Sequence, residues 1–497
     1  RFVSSMFANC NELTSVDLSK FNPSQATDFN NMFSYCKKLT SLDLSNFSTE
    51  NARNMQYMFQ GAIALTSINL SKFNSKDIYD MQSMFVDCKS ITSLDLSSFS
   101  TSNLVNMKSM FLACEKLQTI RFGDFDTSKV STMESTFERC ASLKNLDISS
   151  FRTSNVLSFD STFKGCSSLT SLDLKHFDTS KATGMYSMFR ECYKLEYLDI
   201  SSFRTPKVIK FNNFLQGCYE LKSIDVSRFD TSQATDLSQM FAQCGNLNKI
   251  DVSNFKTANV VTIGNMFQDC ANLASIDVSG FNTEKVQSLS GMFRNCTMLT
   301  SIDVSEFKTS SVTMLNSMFA YCSSLKYVDV SRFDTSKVFT VTAMFDGCRN
   351  LRSLELSSFN AKSFRDTNYL FRNCASLTSI DLSSFDTQAI DSMYGMFMGC
   401  TNLEIIKWDN IYTSAVTDMS ELFSGCEKLV NVDLSKLDTS LVRTTEKMFF
   451  NCYSLTSLNL KSFDMTINKK FNHMFYNCKN LQYLDISNFE TNSAMDM

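Results

Sequence analysis

Carboxylates recur in this chain at a fixed interval. Asp147, Asp173, Asp199, Asp225, Asp251, Asp277, Asp303, Asp329, Glu355 and Asp381 follow one another every 26 residues. On parallel strands about 4.8 Å apart, neighbouring carboxylates repel by roughly 1 kcal/mol per pair even in water. Two chemistries answer such a column. Either flanking hydroxyls, such as those of Ser223 and Ser227, solvate each charge together with water, or a hard cation such as Ca²⁺ bridges neighbours through several oxygen ligands. Two residues before the acid, on the same outward face, stand Tyr197, Tyr327 and Tyr483. Exposed tyrosines are candidate contact residues for a partner.

Thiols repeat in the same way. The 18 cysteines run from Cys10 to Cys478 at the same interval, with one double gap centred on Ala62. On adjacent rungs their Cα atoms fall within disulfide range, but their Cβ vectors run parallel rather than converge. Alanine in the same slot points to a small apolar core position, which a reduced thiol fills. Catalytic chemistry has little to build on. Only His176 and His473 are present, some eleven repeats apart, so they form neither a triad nor a shared metal site. Glycine-rich phosphate loops and C-x-x-C pairs are missing from the sequence. No enzyme, and no metal site beyond Ca²⁺ on the acidic column, is expected.

Composition narrows the partners. A formal net charge of -4, from 47 basic and 51 acidic residues, provides no basic field for nucleic acid. No apolar run is long enough to insert in a membrane. The chain starts and stops inside a repeat and is read as one solenoid domain, residues 1–497, cut from a longer protein.

The elements that carry these columns are copies of one unit. The phasing predicts about 19 repeats of 26 residues without insertion, each burying its apolar face against its neighbours. Leu172, Asp173 and Leu174 alternate as in a short half-buried strand. Val260, Ile263, Met266, Phe267 and Cys270 recur at spacings that place them on one stripe of a helix, with Thr257 or Thr231-Ser232 as its N-cap. The expected fold is an α/β solenoid with a parallel sheet on the concave face and short helices on the convex face. Two phenylalanine columns, Phe21 to Phe489 and Phe7 to Phe475, account for most of the 45 phenylalanines. They are the expected spine of the core. Arg121 and Lys407 interrupt the acidic column, and Trp408 falls on an inward position.

The unit Met-Phe-x-x-Cys-x-x-Leu-Thr-Ser-Leu-Asp-Leu-Ser-x-Phe-Asp-Thr-Ser-x-Val-x-x-Met is approximated by Met84 to Met107 and by Met318 to Val338. It resembles the BspA-like leucine-rich repeat surface proteins over the whole chain. That resemblance implies a non-enzymatic adhesion or interaction protein, at the cell surface or secreted, and it transfers no catalytic residue. Expected partners are a protein or glycan on another cell or matrix, or copies of the chain itself in a surface layer or filament. The rival reading is an intracellular leucine-rich repeat scaffold or substrate-recognition subunit, which reduced cysteines would suit.

Overall fold

In a computed structural model, described for residues 3–385, 387–408 and 411–496, the chain divides into two compact units, Arg1–Asn254 and Phe255–Met497. Each is a β-solenoid, and together they make about 17 turns. The first unit carries β1 (Ser41–Asp43), β2 (Ser67–Asn69), β3 (Ser93–Asp95), β4 (Thr119–Arg121), β5 (Ser171–Asp173) and β6 (Tyr197–Asp199). The second carries β7 (Ser301–Ile302), β8 (Tyr327–Val328), β9 (Ser379–Asp381), β10 (Ile405–Lys407), β11 (Ser457–Asn459) and β12 (Tyr483–Asp485). Neighbours pair in parallel one repeat apart, as Leu172 does with Leu198. A second ladder of single bridges runs from Asp28 to Asp236 in the first unit and from Thr262 to Asp496 in the second. The predicted strands are therefore present. The expected 19 repeats are corrected to about 17 turns; the end copies have a neighbour on one side only, and their Phe7 and Phe475 are partly exposed.

The predicted helices are not. Among the described residues no segment is helical, and the backbone shows why. Phe29, Asn31 and Phe33 donate their N–H groups to Asn54, Gln56 and Met58 of the next turn at 2.8–2.9 Å. The residues between them close tight turns, Met32 to Phe29 and Ser34 to Asn31. Every second donor is thus spent on the next copy, and none is left for a helical ladder. Left-handed residues recur at two positions of the segment, Asn31 (φ 55°) and Tyr35 (φ 57°) in one copy, Asn265 (φ 56°) and Asp269 (φ 59°) in another. An α-helix tolerates neither. Val260, Ile263, Met266, Phe267 and Cys270 are still fully buried, as their spacing required. Stacked turns place them inside, not a helix.

Without a helix there is no N-cap, and the threonines do something else. Thr179 Oγ1 donates to the carbonyl of Arg204 at 2.7 Å and accepts from the Arg204 N–H at 2.8 Å. Thr283 treats Lys308 identically. Thr257 donates to Asn282, so its hydroxyl joins adjacent turns. These threonines are buried, and the hydroxyls of Thr179 and Thr283 each close two backbone groups that water cannot reach, whereas the buried Thr101 hydroxyl in the same column has no partner.

Both phenylalanine columns form. Phe33, Phe59, Phe85 and Phe111 stack at centroid distances of 5.3–5.9 Å, and Phe267, Phe293 and Phe319 at 5.9 Å. Where Leu215 breaks the first-unit column, Phe214 swings in edge-on to Phe189. The cysteines are free and mostly buried. Cys192 donates its thiol to the Phe163 carbonyl at 3.1 Å, and Cys322 to Phe293 at 3.0 Å. Burial pushes the Cys166 and Cys322 thiols up to about 12, so they are inert. Ala62 fills the same slot, fully buried.

Thr179→Val keeps shape and removes the hydroxyl that serves Arg204. Urea unfolding should register a loss of about 1–3 kcal/mol, with less than about 0.5 kcal/mol for Ser180→Ala beside it. Equal effects would remove the threonine column from the list of stabilising contacts.

Candidate functional site

The acidic column lies outward on the strand face, and each carboxylate is held by its own copy. Asp147 Oδ1 accepts from the Ser149 amide at 3.1 Å and the Ser149 hydroxyl at 2.7 Å. Asp199, Asp251, Asp277 and Asp303 repeat the pair of bonds with Ser201, Ser253, Ser279 and Ser305. Backbone amides reach Asp173, Asp225, Asp329, Glu355 and Asp381 from Lys175, Ser227, Ser331, Ser357 and Ser383. The serine hydroxyl and amide hold Asp147, Asp199, Asp225, Asp251, Asp303 and Asp329 below the usual carboxylate range. The amide of Lys175 does this first for Asp173, and that of Ser383 for Asp381.

Cations offset part of the repulsion at Asp95, Asp173 and Asp381. Arg121 reaches back to Asp95 at 3.6 Å, Lys407 to Asp381 at 4.0 Å, and Lys175 pairs with Asp173 at 3.1 Å. The two residues that interrupt the column thus neutralise the acid one turn earlier. Among the described residues no three His, Cys, Asp or Glu side chains converge on a point that would hold a metal.

Tyr197, Tyr327 and Tyr483 are exposed by 57%, 53% and 58% on β6, β8 and β12. In register they stand beside Ser171, Ser301 and Ser457. Tyr327 and Tyr483 are six copies apart in the second unit and so do not share a patch, and Tyr197 belongs to the first unit. The Tyr197 hydroxyl donates to Asp199 at 3.4 Å. His176 meets the Ile148 carbonyl at 2.9 Å, and His473 lies against Tyr476 in the other unit. Trp408 is buried and donates Nε1–H to the Asp433 carbonyl at 2.9 Å, the core role its position suggested.

The turn face holds groups that the sequence reading did not single out. In the first unit Tyr193 and Tyr219 stack at 5.5 Å and 20° while 41% and 42% exposed. Tyrosine directly after the cysteine in two consecutive copies was the available signal. In the second unit buried Asp346 accepts from Arg372 Nε at 2.8 Å, and Arg372 also donates to the Tyr321 hydroxyl at 3.0 Å. Its guanidinium lies 3.9 Å above the Tyr369 ring. Here Tyr321 rests where Gly347 has no side chain, and a Cβ on Gly347 would meet the ring at 2.7 Å. Half-buried Asp160 accepts from the Tyr186 amide at 2.8 Å. It too fits only because Gly184 beside it lacks a Cβ, which would come within 2.6 Å of both carboxylate oxygens.

The family model described as "Mycoplasma protein of unknown function, DUF285" matches residues 1–122, 106–224, 213–327, 287–408 and 395–497. No curated protein matches the chain. Among solved structures, a leucine-rich repeat protein from Bacteroides ovatus is similar at 18% identity and a TM-score of 0.42, over 79% of this chain and 87% of that one. A leucine rich cell surface protein from Faecalibacterium prausnitzii is similar at 18% identity and 0.36, over 64% and 79%. A leucine-rich repeat protein from Eubacterium ventriosum is similar at 11% and 0.23, over 82% and 76%. Among the described residues no helix is long and apolar enough to cross a membrane.

Desolvation raises the Asp160 carboxyl above its ordinary value. Between its unfolded value, about 3.9, and its folded one, the folded chain keeps a proton that the unfolded chain has lost, so this group costs stability as pH rises. Asp160→Asn should therefore raise Tm at pH 7, and the gain should vanish at pH 3. Thermal melts at both values check this, and an equal gain at both would refute it.

Proposed function

We propose that this chain, which belongs to the DUF285 family, is a non-enzymatic binding protein displayed at the cell surface or secreted. On this reading it is one solenoid domain of a longer protein of the BspA-like kind. It engages a protein or glycan on another cell or matrix, or copies of itself in a layer or filament. One observation carries the reading. The interior is filled by phenylalanine, thiol and threonine columns and by backbone bonded from turn to turn, while the outward positions repeat in register as an array of serines, aspartates and occasional tyrosines. Such an array binds through many similar weak contacts, and avidity multiplies them. The acidic column from Asp147 to Asp381 and the three strand tyrosines are the contact positions assigned on the strand face.

The free cysteines favour a second reading, an intracellular scaffold, since thiols persist in a reducing compartment. Their burial also protects them outside the cell. Intact host cells treated with a membrane-impermeant protease separate the two. Release of peptides spanning Phe203 without lysis is the expected result, whereas their appearance only after lysis would sink the surface reading and leave the scaffold.

A further inference from the structure

On the turn face of the first unit, an aromatic platform and unmet polar atoms occupy the same two turns. Tyr193 and Tyr219 stack on each other and stand out from the surface. The same position is Ser167 in the preceding copy and Gly245 in the following one, so small residues flank the pair. Register places Gly245 beside Tyr219, because the Asn246 N–H donates to the Tyr219 carbonyl at 3.0 Å. Glu220 accepts from the Asn246 amide at 2.9 Å, which fixes a carboxylate at the rim. Tyr193 leans over Gly217, with its Cε1 3.4 Å from where a Cβ would stand. Next to Gly217 is Gln216, whose Oε1 is buried without a hydrogen-bond partner, as are Asn212 Oδ1 and the hydroxyl of fully buried Ser187. Backbone bonds from Ser187 to Asn212 and from Glu191 to Gln216 tie these groups into the same pair of turns.

Buried polar atoms without a partner require a reason, since each costs free energy. Two of the three are amide acceptors closed off from solvent, and on the half-buried Gln216 and Asn212 side chains an outside O–H or N–H reaches them when the amide turns outward. The platform needs a flat apolar face carrying polarised C–H bonds, to which the negative face of a tyrosine ring is attracted. A pyranose ring supplies both, with axial C–H groups on one face and hydroxyls around its edge. Glu191 and Glu220 at the rim disfavour an anionic sugar, and the Glu191 carboxylate is already engaged by Arg190 at 3.0 Å. We propose that Tyr193, Tyr219, Gln216 and Glu220 form a saccharide-binding site for a neutral pyranoside. The sugar stacks on Tyr219 and donates hydroxyl hydrogens to Glu220 and, as its amide turns outward, to Gln216. This deepens the surface-binding reading, on which it rests for its biological setting, by naming the class of ligand and the place where it docks.

Saturation-transfer NMR on the whole purified chain tests it. The probes are methyl pyranosides of glucose, galactose, mannose and N-acetylglucosamine. Saturation should reach the ring C–H protons of at least one probe. Tyr219→Ala should weaken that binding roughly tenfold or more, the size expected for an aromatic anchor. Tyr219→Phe, which keeps the ring face, should stay within about threefold. Glu220→Gln should weaken binding without altering the melt, and replacing another exposed tyrosine of the first unit, Tyr79→Ala, should change nothing. Saturation of no probe, or undiminished transfer in a folded Tyr219→Ala chain, overturns the site. Because this measurement makes no use of the chain's location, it fails independently of protease shaving.

Discussion

The backbone of each copy is hydrogen-bonded by the next one. Phe29, Asn31 and Phe33 send their amides forward to Asn54, Gln56 and Met58, and Thr179 spends both capacities of its hydroxyl on Arg204. A copy taken alone would leave these donors unmet in an apolar interior, at a cost of about 1–3 kcal/mol for each buried group. Stability is therefore a property of contact between neighbours, as expected of a quasi-one-dimensional array. The strict 26-residue period follows directly. One inserted residue would shift a whole copy out of register and break its forward bonds together.

That constraint also decides which residues fit inside. Phenylalanine stacks on phenylalanine because the spacing between turns suits offset rings at 5.3–5.9 Å. The cysteine slot is small, and the thiol adds a weak donation to a phenylalanine carbonyl that alanine at position 62 cannot make. A disulfide between successive cysteines would pull two parallel side chains together against this geometry. The thiols instead remain single and, apart from exposed Cys10 and half-buried Cys478, buried; Cys166 among them is chemically quiet.

Much of this was legible in the sequence, and the part that was not has a definite cause. The inward residues and the parallel strands follow from period and alternation alone. The helix did not, because spacings of 3, 3, 1 and 3 report only which side chains face inward. Stacked turns with two left-handed residues per copy, as at Asn265 and Asp269, produce the same inward set. The distinguishing mark was local. Asparagine, glycine, aspartate and serine recur at those two positions, and they are poor interior residues for a helix but suited to left-handed turns. Thr257 was read as a cap for the same reason that made it useful to the ladder, a hydroxyl short enough to reach backbone groups. The acidic column lies outside, and the expectation that flanking serines such as Ser227 answer its charges holds for the serine two residues after the acid, with Lys175 in that place at Asp173; the backbone amide that joins in is a local turn that periodicity does not reveal. Tyr193 and Tyr219 were invisible to a search for columns because they are departures from one.

Departures are where such a protein can be specific. Positions that face inward are bound to their neighbours in both directions, so a change there propagates along the array. Outward positions are free of that bond, and their variation costs little: Arg121 and Lys407 replace an acid and each finds the preceding carboxylate. The repeated residues therefore build a scaffold of fixed spacing, while the exceptional ones write information onto it. Gly184 and Gly347 show how finely this is tuned, since each omits one side chain so that Asp160 or Tyr321 of the neighbouring turn can lie across it. On the proposed binding function, a solenoid of nearly identical copies would distinguish its partners by the few residues that break the pattern, and these lie on the turn face as well as along the strands.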